Sequence, residues 1–536
     1  MKQRRVPGGQ SFVAGTVILS AAAAVVKVFG FVYKIPIQNL LGPSASGYFT
    51  AAYDVFTAMF VLSTAGLPVA VSALVSEARA VGDTRQTTHI LRVSLLAFCV
   101  LGVLGTLALG LGADWIAAAG RSPHIALALR AVGPSMLLVC ITSAYRGYHQ
   151  GHGDMTPTAV SQSLEAGVKA GAGLALTMIA ASLGAPDDVK AAAAMCGVTL
   201  GSLSAVVYMV SVRRRHVARP RPPQKPHPVT ARLLHIAIPA TLSAAAINLA
   251  SLIDSLTINA RLIGGAGFSA AKAGYVFGAY SYARTLFGVA PSFLLAMAVS
   301  IVPAVAARRA RGDREGEAKL IGSGLRLTAL LSMPAASGLY FLAWPILNLL
   351  YGRHGQAVAA AAPLMEILGL ATVFICLVSV TNAMMQARGQ VMLPVLTMLA
   401  GAGVKLAVSL TLVGQPEINI LGAPIGTLAC YTVIAGLNLG ILARSIGPRT
   451  VFSVFLRPLL AAILMGWMVK GFYGLFARVL TDVLGSPEAL KIAVLAAVAL
   501  GVVSYAALAV LLRAVAAEDL LWLPKGGKIA DFLKIS

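Results

Sequence analysis

Residues 145–171 read "YRGYHQGHGDMTPTAVSQSLEAGVKAG", the most polar stretch inside a chain that is otherwise oily. The stretch holds Arg146, His149, Gln150, His152, Asp154, Gln162, Glu165 and Lys169, with long hydrophobic runs on both sides. Gly147, Gly151 and Gly153 break a helix, while Thr156 as an N-cap and Pro157 in the first turn start the next one. The second helix then carries a glutamate and a lysine into an apolar run. The surroundings of that run decide the fold.

Apolar residues make up 58% of the 536 residues, charged residues only 11%, and the mean hydropathy is +0.83. A soluble chain carries about a quarter charged residues. Hydrophobic segments fall at 11–40, 47–76, 90–112, 125–145, 156–182, 190–212, 231–260, 273–306, 322–350, 358–386, 391–413, 419–443, 452–477 and 488–513. A bilayer crossing needs roughly 20 apolar residues. The reading is an all-α polytopic membrane protein with about 14 transmembrane helices. A β-barrel is excluded, because its strands are about 10 residues long and alternate strictly.

The formal charge of +23 suggests nucleic acid in a soluble chain, but here it marks topology. Basic residues cluster at the N-terminus (Lys2, Arg4, Arg5) and in "EARAVGDTRQTTHILR", "RRRHVARPRPPQKPHPVTAR", "RRARGDREGEAK", "ARSIGPRTVFSVFLR" and the C-terminal tail, with single arginines in the other loops of that side. In a fourteen-helix scheme these are alternate loops, and roughly 28 of the 42 Lys and Arg lie in them. The positive-inside bias puts them, and both termini, on the cytoplasmic side of a bacterial plasma membrane. No nucleic-acid partner is expected. The start, "MKQRRVPGGQSFVAGTVILSAAAAVVKVFGF", mimics a signal peptide, but its apolar run is too long and it reads as an uncleaved first helix. Cys99, Cys140, Cys196, Cys376 and Cys430 lie in apolar runs without metal-ligand spacing and read as packing residues.

A Pro- and Arg-rich linker at 213–229 divides the chain near its middle. "GDTRQ" (82–86) matches "GDREG" (312–316), and "GVTLGSL" (197–203) matches "GAPIGTL" (422–428). The opening stretch pairs with "QARGQVMLPVLTMLAGAGVKLA", aligning Gln150 with Gln386, Gly153 with Gly389 and Lys169 with Lys405. The expected organisation is a six-helix lobe over 1–212, the linker, a second six-helix lobe over 230–445, two extra helices over 446–514 and an amphipathic tail over 515–536. Parallel six-helix repeats are pseudo-symmetric about the membrane normal, with a cleft between the lobes.

An ionisable group near the bilayer centre costs roughly 2.5–3.5 kcal/mol and persists mainly beside protein or water. On the first helix Ser20, Lys27, Lys34 and Gln38 share one face. Lys34 is near enough to the outer end to snorkel; Lys27 is mid-span. Glu165 and Lys169 stand at i, i+4 in the favourable acid-first order, so a structural salt bridge competes with a cavity role. Lys405 repeats the lysine with Gly401 in place of the acid. Asp254 lies beside Asn248, Ser255 and Asn259, and pairing with Arg284 of the next helix is one reading. Pro291 kinks that helix. Asp54 is a candidate counter-charge for the first-helix lysines. Arg146 contacts a headgroup or anchors its span end. The surplus of intramembrane cations suits an anionic substrate such as a pyrophosphate. His149 and His152 have no third ligand nearby. No nucleophile elbow, HExxH or Walker loop occurs, so neither an enzyme nor a cofactor is expected.

"KVFGFVYKIPIQNLLGPSASGYF", "STAGLPVAVSALVSE", "YRGYHQGHGDMTPTAVSQSLEAGVK" and "NAMMQARGQ" together resemble the polysaccharide-exporter branch of the multidrug/oligosaccharidyl-lipid/polysaccharide superfamily. The subgroup is similar to the stage V sporulation protein B and MurJ-type lipid II flippases. The resemblance implies two six-helix lobes, a central cavity and alternating access. It also implies a lipid-linked oligosaccharide substrate, with undecaprenyl pyrophosphate as the carrier, moved from the inner to the outer leaflet. The family's basic cavity residues fall on Lys27 and Arg284, and its lipid-tail groove on the last two helices. Tyr33-Lys34 replaces the Arg-Asp pair of the Gram-negative branch. Membrane lipids and cell-wall synthesis enzymes are candidate partners. Competing readings are a flippase for another polyprenyl-linked or sporulation-related glycan, a multidrug antiporter, a polytopic glycosyltransferase and a scaffold.

Overall fold

The computed structural model describes residues 12–64, 66–212, 229–390, 392–448, 451, 453–484 and 488–515, together with most of their side chains. The basic linker, apart from residue 229, the C-terminal tail from 516 and the N-terminal basic cluster lie outside the described residues, as does the side chain of Lys27. All regular structure among the described residues is helical. Ten stretches of these residues are long and apolar enough to cross a membrane. The chain is a multi-pass helical membrane protein, as its composition predicts.

The chain divides into two compact units. The first comprises Met1–Ile263 with Phe268–Gly278, the second Gly264–Gly267 with Ala279–Ser536. The first contains α1 (Phe12–Thr64), α2 (Leu67–Ala80), α3 (Thr84–Gly110), α4 (Ala113–Ala119), α5 (Ala126–Gly151), α6 (Thr156–Ser182), α7 (Asp187–Val212) and nearly all of α8 (Val229–Gly264). α9 (Ala270–Phe287) begins in the first unit and ends in the second. The second continues with α10 (Val289–Ala310), α11 (Arg314–Phe341), α12 (Ala343–Tyr351), α13 (Gly355–Ala387), α14 (Met392–Leu412), α15 (Gly422–Ile446), α16 (Leu456–Leu484) and α17 (Glu488–Leu511).

Each of the fourteen expected segments lies on helix, but three are broken. The 47–76 span breaks before Leu67, the 273–306 span at Gly288 and the 322–350 span at Leu342. A proline follows each break, at 68, 291 and 345. Its missing N–H would have bonded the carbonyl four residues back, on Thr64, Phe287 or Phe341, and these are the last residues of the preceding helices. In the first turn of the new helix the missing donor costs nothing. Pro134, Pro334 and Pro363 lie inside unbroken helices, so proline alone does not dictate a break. α1 is kinked at Gly42 (φ 71°, ψ 178°), immediately before Pro43.

The compact units part later in the chain than the linker. α8, expected to open the second lobe, packs inside the first unit. Leu233 and Ala237 join a core with Leu67, Val71, Leu74 and Tyr145. The Gly66 N–H donates to Thr241 Oγ1 at 3.1 Å, and Arg232 pairs with Glu77 at 2.7 Å. These polar contacts on α2 tie α8 to the unit before the linker.

The internal repeat is visible in local geometry. Gly82 (φ 77°) and Gly312 (φ 72°) end their helices in the left-handed conformation that glycine adopts without a Cβ penalty. The Gly82 N–H bonds Arg79 O and the Asp83 N–H bonds Ala78 O; Gly312 and Asp313 do the same to Arg309 and Arg308, all at 3.0–3.1 Å. Asp83 and Asp313 then cap the next helix, each accepting at 2.8 Å from a backbone N–H, of Gln86 and Gly316. Gly153 and Gly389 repeat the same paired turn bonds, to Gln150 and Gln386 at 2.9 Å. Tyr48 stacks on His124 with ring centroids 5.1 Å apart, and Tyr282 faces His354 at 6.4 Å. In both halves the histidine sits in the short turn before a long helix, α5 or α13.

Candidate functional site

Glu165 does not pair with Lys169, although helical spacing allows it. Its Oε2 lies 2.8 Å from Nη2 of Arg146, which reaches across from α5. Its Oε1 accepts from the Ser202 hydroxyl of α7 at 3.4 Å. Arg146 also donates from Nε to Ser161 Oγ at 3.0 Å, so the guanidinium is fixed at two edges. Arg146 is buried, and the Glu165 side chain is 24% exposed. The paired residues on facing helices outcompete the i, i+4 geometry because a guanidinium binds a carboxylate with oriented, charge-assisted hydrogen bonds. Among the described residues Lys169 makes no ion pair. Its ammonium lies over the Tyr53 ring of α1, 5.6 Å from the centroid.

α6 and α7 approach closely at this point because α7 presents glycines. A Cβ on Gly201 would stand 2.7 Å from the Glu165 carbonyl and 3.0 Å from Lys169 Cβ; one on Gly197 would meet Gly173 and the Lys169 carbonyl. In the second unit Lys405 of α14 is buried, and Gly426 of α15 faces it: a Cβ there would stand 2.9 Å from Ser409 Oγ and 3.5 Å from the Lys405 carbonyl. Lys169 and Gly173 correspond to Lys405 and Ser409, so the partner of Gly426 is Gly197. The sequence match of "GVTLGSL" to "GAPIGTL" is therefore displaced by one helical turn.

The same 236-residue offset that relates Lys169 to Lys405 marks a second polar cluster. Arg146 and Ser161 correspond to Asn382 and Thr397, each 236 positions on. Asn438 of α15 joins this pair: its Nδ2 donates to Asn382 Oδ1 at 2.8 Å and to Thr381 Oγ1 at 2.9 Å, while its Oδ1 accepts from Thr397 at 2.9 Å. The first half thus has an ionic cluster where the second has a neutral one. Sequence reading passed over the amides because neutral residues in apolar runs carry no charge signal. The 236-residue offset was the available clue.

The remaining candidates are distributed as follows. Asp54 Oδ2 accepts from the Ser255 hydroxyl of α8 at 2.7 Å, and Asp254 beside it is buried. Lys34 is half-buried on the first segment of α1. Arg284 is half-buried near the end of α9, its guanidinium carbon 5.8 Å from the Tyr280 ring centroid. Asp254 belongs to the first unit and Arg284 to the second. His152 packs on the Tyr148 ring at 4.4 Å with Nδ1 2.9 Å from the Tyr148 carbonyl, a local helix-end role.

One further buried ion pair escaped the sequence reading. Glu317 of α11 meets Nε of Arg388, just past α13, at 2.7 Å, and Arg309 lies 3.6 Å away. Both Glu317 and Arg388 are under one-tenth exposed. Nearby, outside the apolar spans, the Arg308 guanidinium and the Gly316 N–H hold the Asp313 carboxyl below the ordinary carboxylate range.

Long broken helices, intramembrane cations and internally repeated turns define a polytopic membrane transporter. The family model described as polysaccharide biosynthesis protein matches residues 12–307, and the chain belongs to that family. A second model, MatE, matches residues 239–411. Three proteins of Bacillus subtilis (strain 168) are similar to this chain. Uncharacterized membrane protein YabM is 26% identical over 528 residues, covering 97% of this chain and 96% of its own. Stage V sporulation protein B is 26% identical, covering 80% of this chain and 83% of its own. Lipid II flippase MurJ is 25% identical, covering 86% and 89%. Among solved structures, lipid II flippase MurJ in an inward closed conformation has a TM-score of 0.67 at 14% identity, covering 93% of this chain and 99% of that one. An inward-facing MATE multidrug transporter scores 0.65 at 15% identity, covering 83% and 94%. These likenesses share the all-α fold, and the family is one of flippases and transporters, not catalysts.

Proposed function

We propose that this protein flips a polyprenyl-pyrophosphate-linked saccharide, with lipid II as its substrate, from the inner to the outer leaflet of a bacterial plasma membrane by alternating access. The observation that carries the reading is the pair of repeat-related lysines, Lys169 and Lys405, on membrane-spanning helices. The acid beside Lys169 is engaged elsewhere, and Lys405 has Gly401 in its place. Cations at repeat-related positions suit an anionic substrate, and a pyrophosphate supplies several strong acceptor oxygens. Lys27, Lys34 and Arg284 are further candidate headgroup ligands. Both termini are assigned to the cytoplasm. The family membership and the name of the MurJ relative support the lipid-linked saccharide class.

A MATE-type multidrug exporter is the second reading, favoured by the MatE match. The surplus of intramembrane cations opposes a cationic drug as substrate. Expression in a bacterium depleted of its own lipid II flippases tests the proposal. Growth rescue by the wild type, lost in equally abundant Lys169→Ala and Arg284→Ala variants, is expected. A well-expressed wild type that fails to rescue removes lipid II as the substrate.

A further inference from the structure

The cluster around Glu165 raises a question that the headgroup reading leaves open. A carboxylate four residues from a lysine on one helix face is placed to neutralise it. If Lys169 serves an anionic headgroup, Glu165 is a competitor for the same ammonium. The structure holds the two apart. Glu165 Oε2 is taken by Arg146 at 2.8 Å and Oε1 by Ser202 at 3.4 Å, so both oxygens are turned to α5 and α7. Ser161 fixes the other edge of the guanidinium at 3.0 Å. The Lys169 ammonium is left against the Tyr53 ring, a neutral π-face that stabilises a cation without cancelling its charge.

The corresponding place in the second half strengthens the contrast. Gly401 stands where Glu165 would be, and Asn382 where Arg146 would be. Acid and arginine are thus present together in one half and missing together from the other, while the lysine is present in both. An arginine that served the headgroup directly would have no reason to come and go with the acid.

We infer that Arg146 is a positioning residue that sequesters Glu165 and so keeps the charge of Lys169 available to an anionic headgroup. This rests on the reading of Lys169 as a headgroup ligand. Among the described residues, the charged and titratable groups at Glu165 are Arg146 from α5 and Lys169 from its own helix, with the Tyr53 phenol of α1 beyond Lys169, while α7 contributes the Ser202 hydroxyl.

The test is the affinity of the full-length, detergent-solubilised chain for farnesyl pyrophosphate, a soluble polyprenyl pyrophosphate, measured by calorimetry. Arg146→Gln releases Glu165 to its i, i+4 neighbour, and affinity falls by about tenfold or more, as when a charged contact loses its effective partner. Arg146→Gln with Glu165→Gln restores binding. Glu165→Gln alone, which retains the arginine, binds at least as tightly as the wild type. An Arg146→Gln protein that binds like the wild type, a double variant as weak as Arg146→Gln, or a Glu165→Gln protein that loses binding overturns the inference. If Arg146→Gln does not fold, Glu165→Gln decides alone. A wild type that does not bind the probe overturns the headgroup reading itself, and the inference with it.

Discussion

Lys169 and Lys405 occupy one place in two copies of the same helix pair: each stands where a glycine of the next helix, Gly197 or Gly426, lies against its backbone. Close packing of backbone at these crossings fixes where each lysine's Cα sits. The two halves differ in what accompanies the lysine. One has a carboxylate held by arginine, the other no acid at that position. A cation that persists while its surroundings change is the feature with the clearest functional meaning.

Neutralising either lysine should therefore weaken headgroup binding. Lys169→Ala and Lys405→Ala are each expected to lower farnesyl pyrophosphate affinity by about tenfold or more in folded protein. Calorimetry on the purified variants checks this. Equal affinity in both would show that the repeated lysines serve packing.

The crossings themselves are predicted to be intolerant of a methyl group. Gly201→Ala would press a Cβ to 2.7 Å from a backbone carbonyl, and overpacking of this kind costs about 1–3 kcal/mol. Gly278→Ala would overlap the Pro43 carbonyl within the first unit and is the more damaging change. Gly403→Ala meets nothing within 4 Å and should shift stability by no more than about 0.5 kcal/mol. Thermal unfolding in detergent ranks the three.

Glu317 and Arg388 form a buried pair, and removing one partner of such a pair costs about 3–5 kcal/mol. Glu317→Ala should lower the melting temperature much more than Arg309→Ala, whose longer 3.6 Å contact comes from a side chain that is 44% exposed. Similar losses in both would show that the pair contributes little.

Asn438 hydrogen-bonds three neighbours in the second half, and Asn438→Leu would leave Asn382, Thr381 and Thr397 short of partners. A loss of about 1–3 kcal/mol is expected for buried polar groups left unsatisfied. Unfolding midpoints of Asn438→Leu and wild type measure it.

Much of this architecture was legible in the sequence because membrane helices are written in long apolar runs. The helix over Thr156–Ser182 matches the expected 156–182 segment, but Met155 rather than Thr156 is its N-cap, the Thr156 N–H bonds Asp154 Oδ1 at 3.1 Å, and of the three glycines expected to break the preceding helix Gly147 and Gly151 lie inside it. The breaks near Gly66, Gly288 and Leu342 were harder, since an apolar run continues through each and only a proline marks it. Pro291 gave a correct expectation; Pro68 and Pro345 went unread. The partner of Glu165 was not legible, because spacing along one helix is visible in sequence, whereas Arg146 on the neighbouring helix competes only in three dimensions. The neutral amide cluster carries no charge signal, and only the 236-residue offset of the repeat points to Asn382 and Thr397.

The most direct measurement is translocation of fluorescent lipid II in liposomes containing only the purified protein, read as the fraction made accessible to an external quencher. The account predicts that the wild type moves lipid II, that Lys169→Ala with Lys405→Ala is much slower, and that labelled phosphatidylglycerol stays where it was placed. Folded wild-type protein that moves no lipid II, or that moves phosphatidylglycerol equally fast, would contradict it.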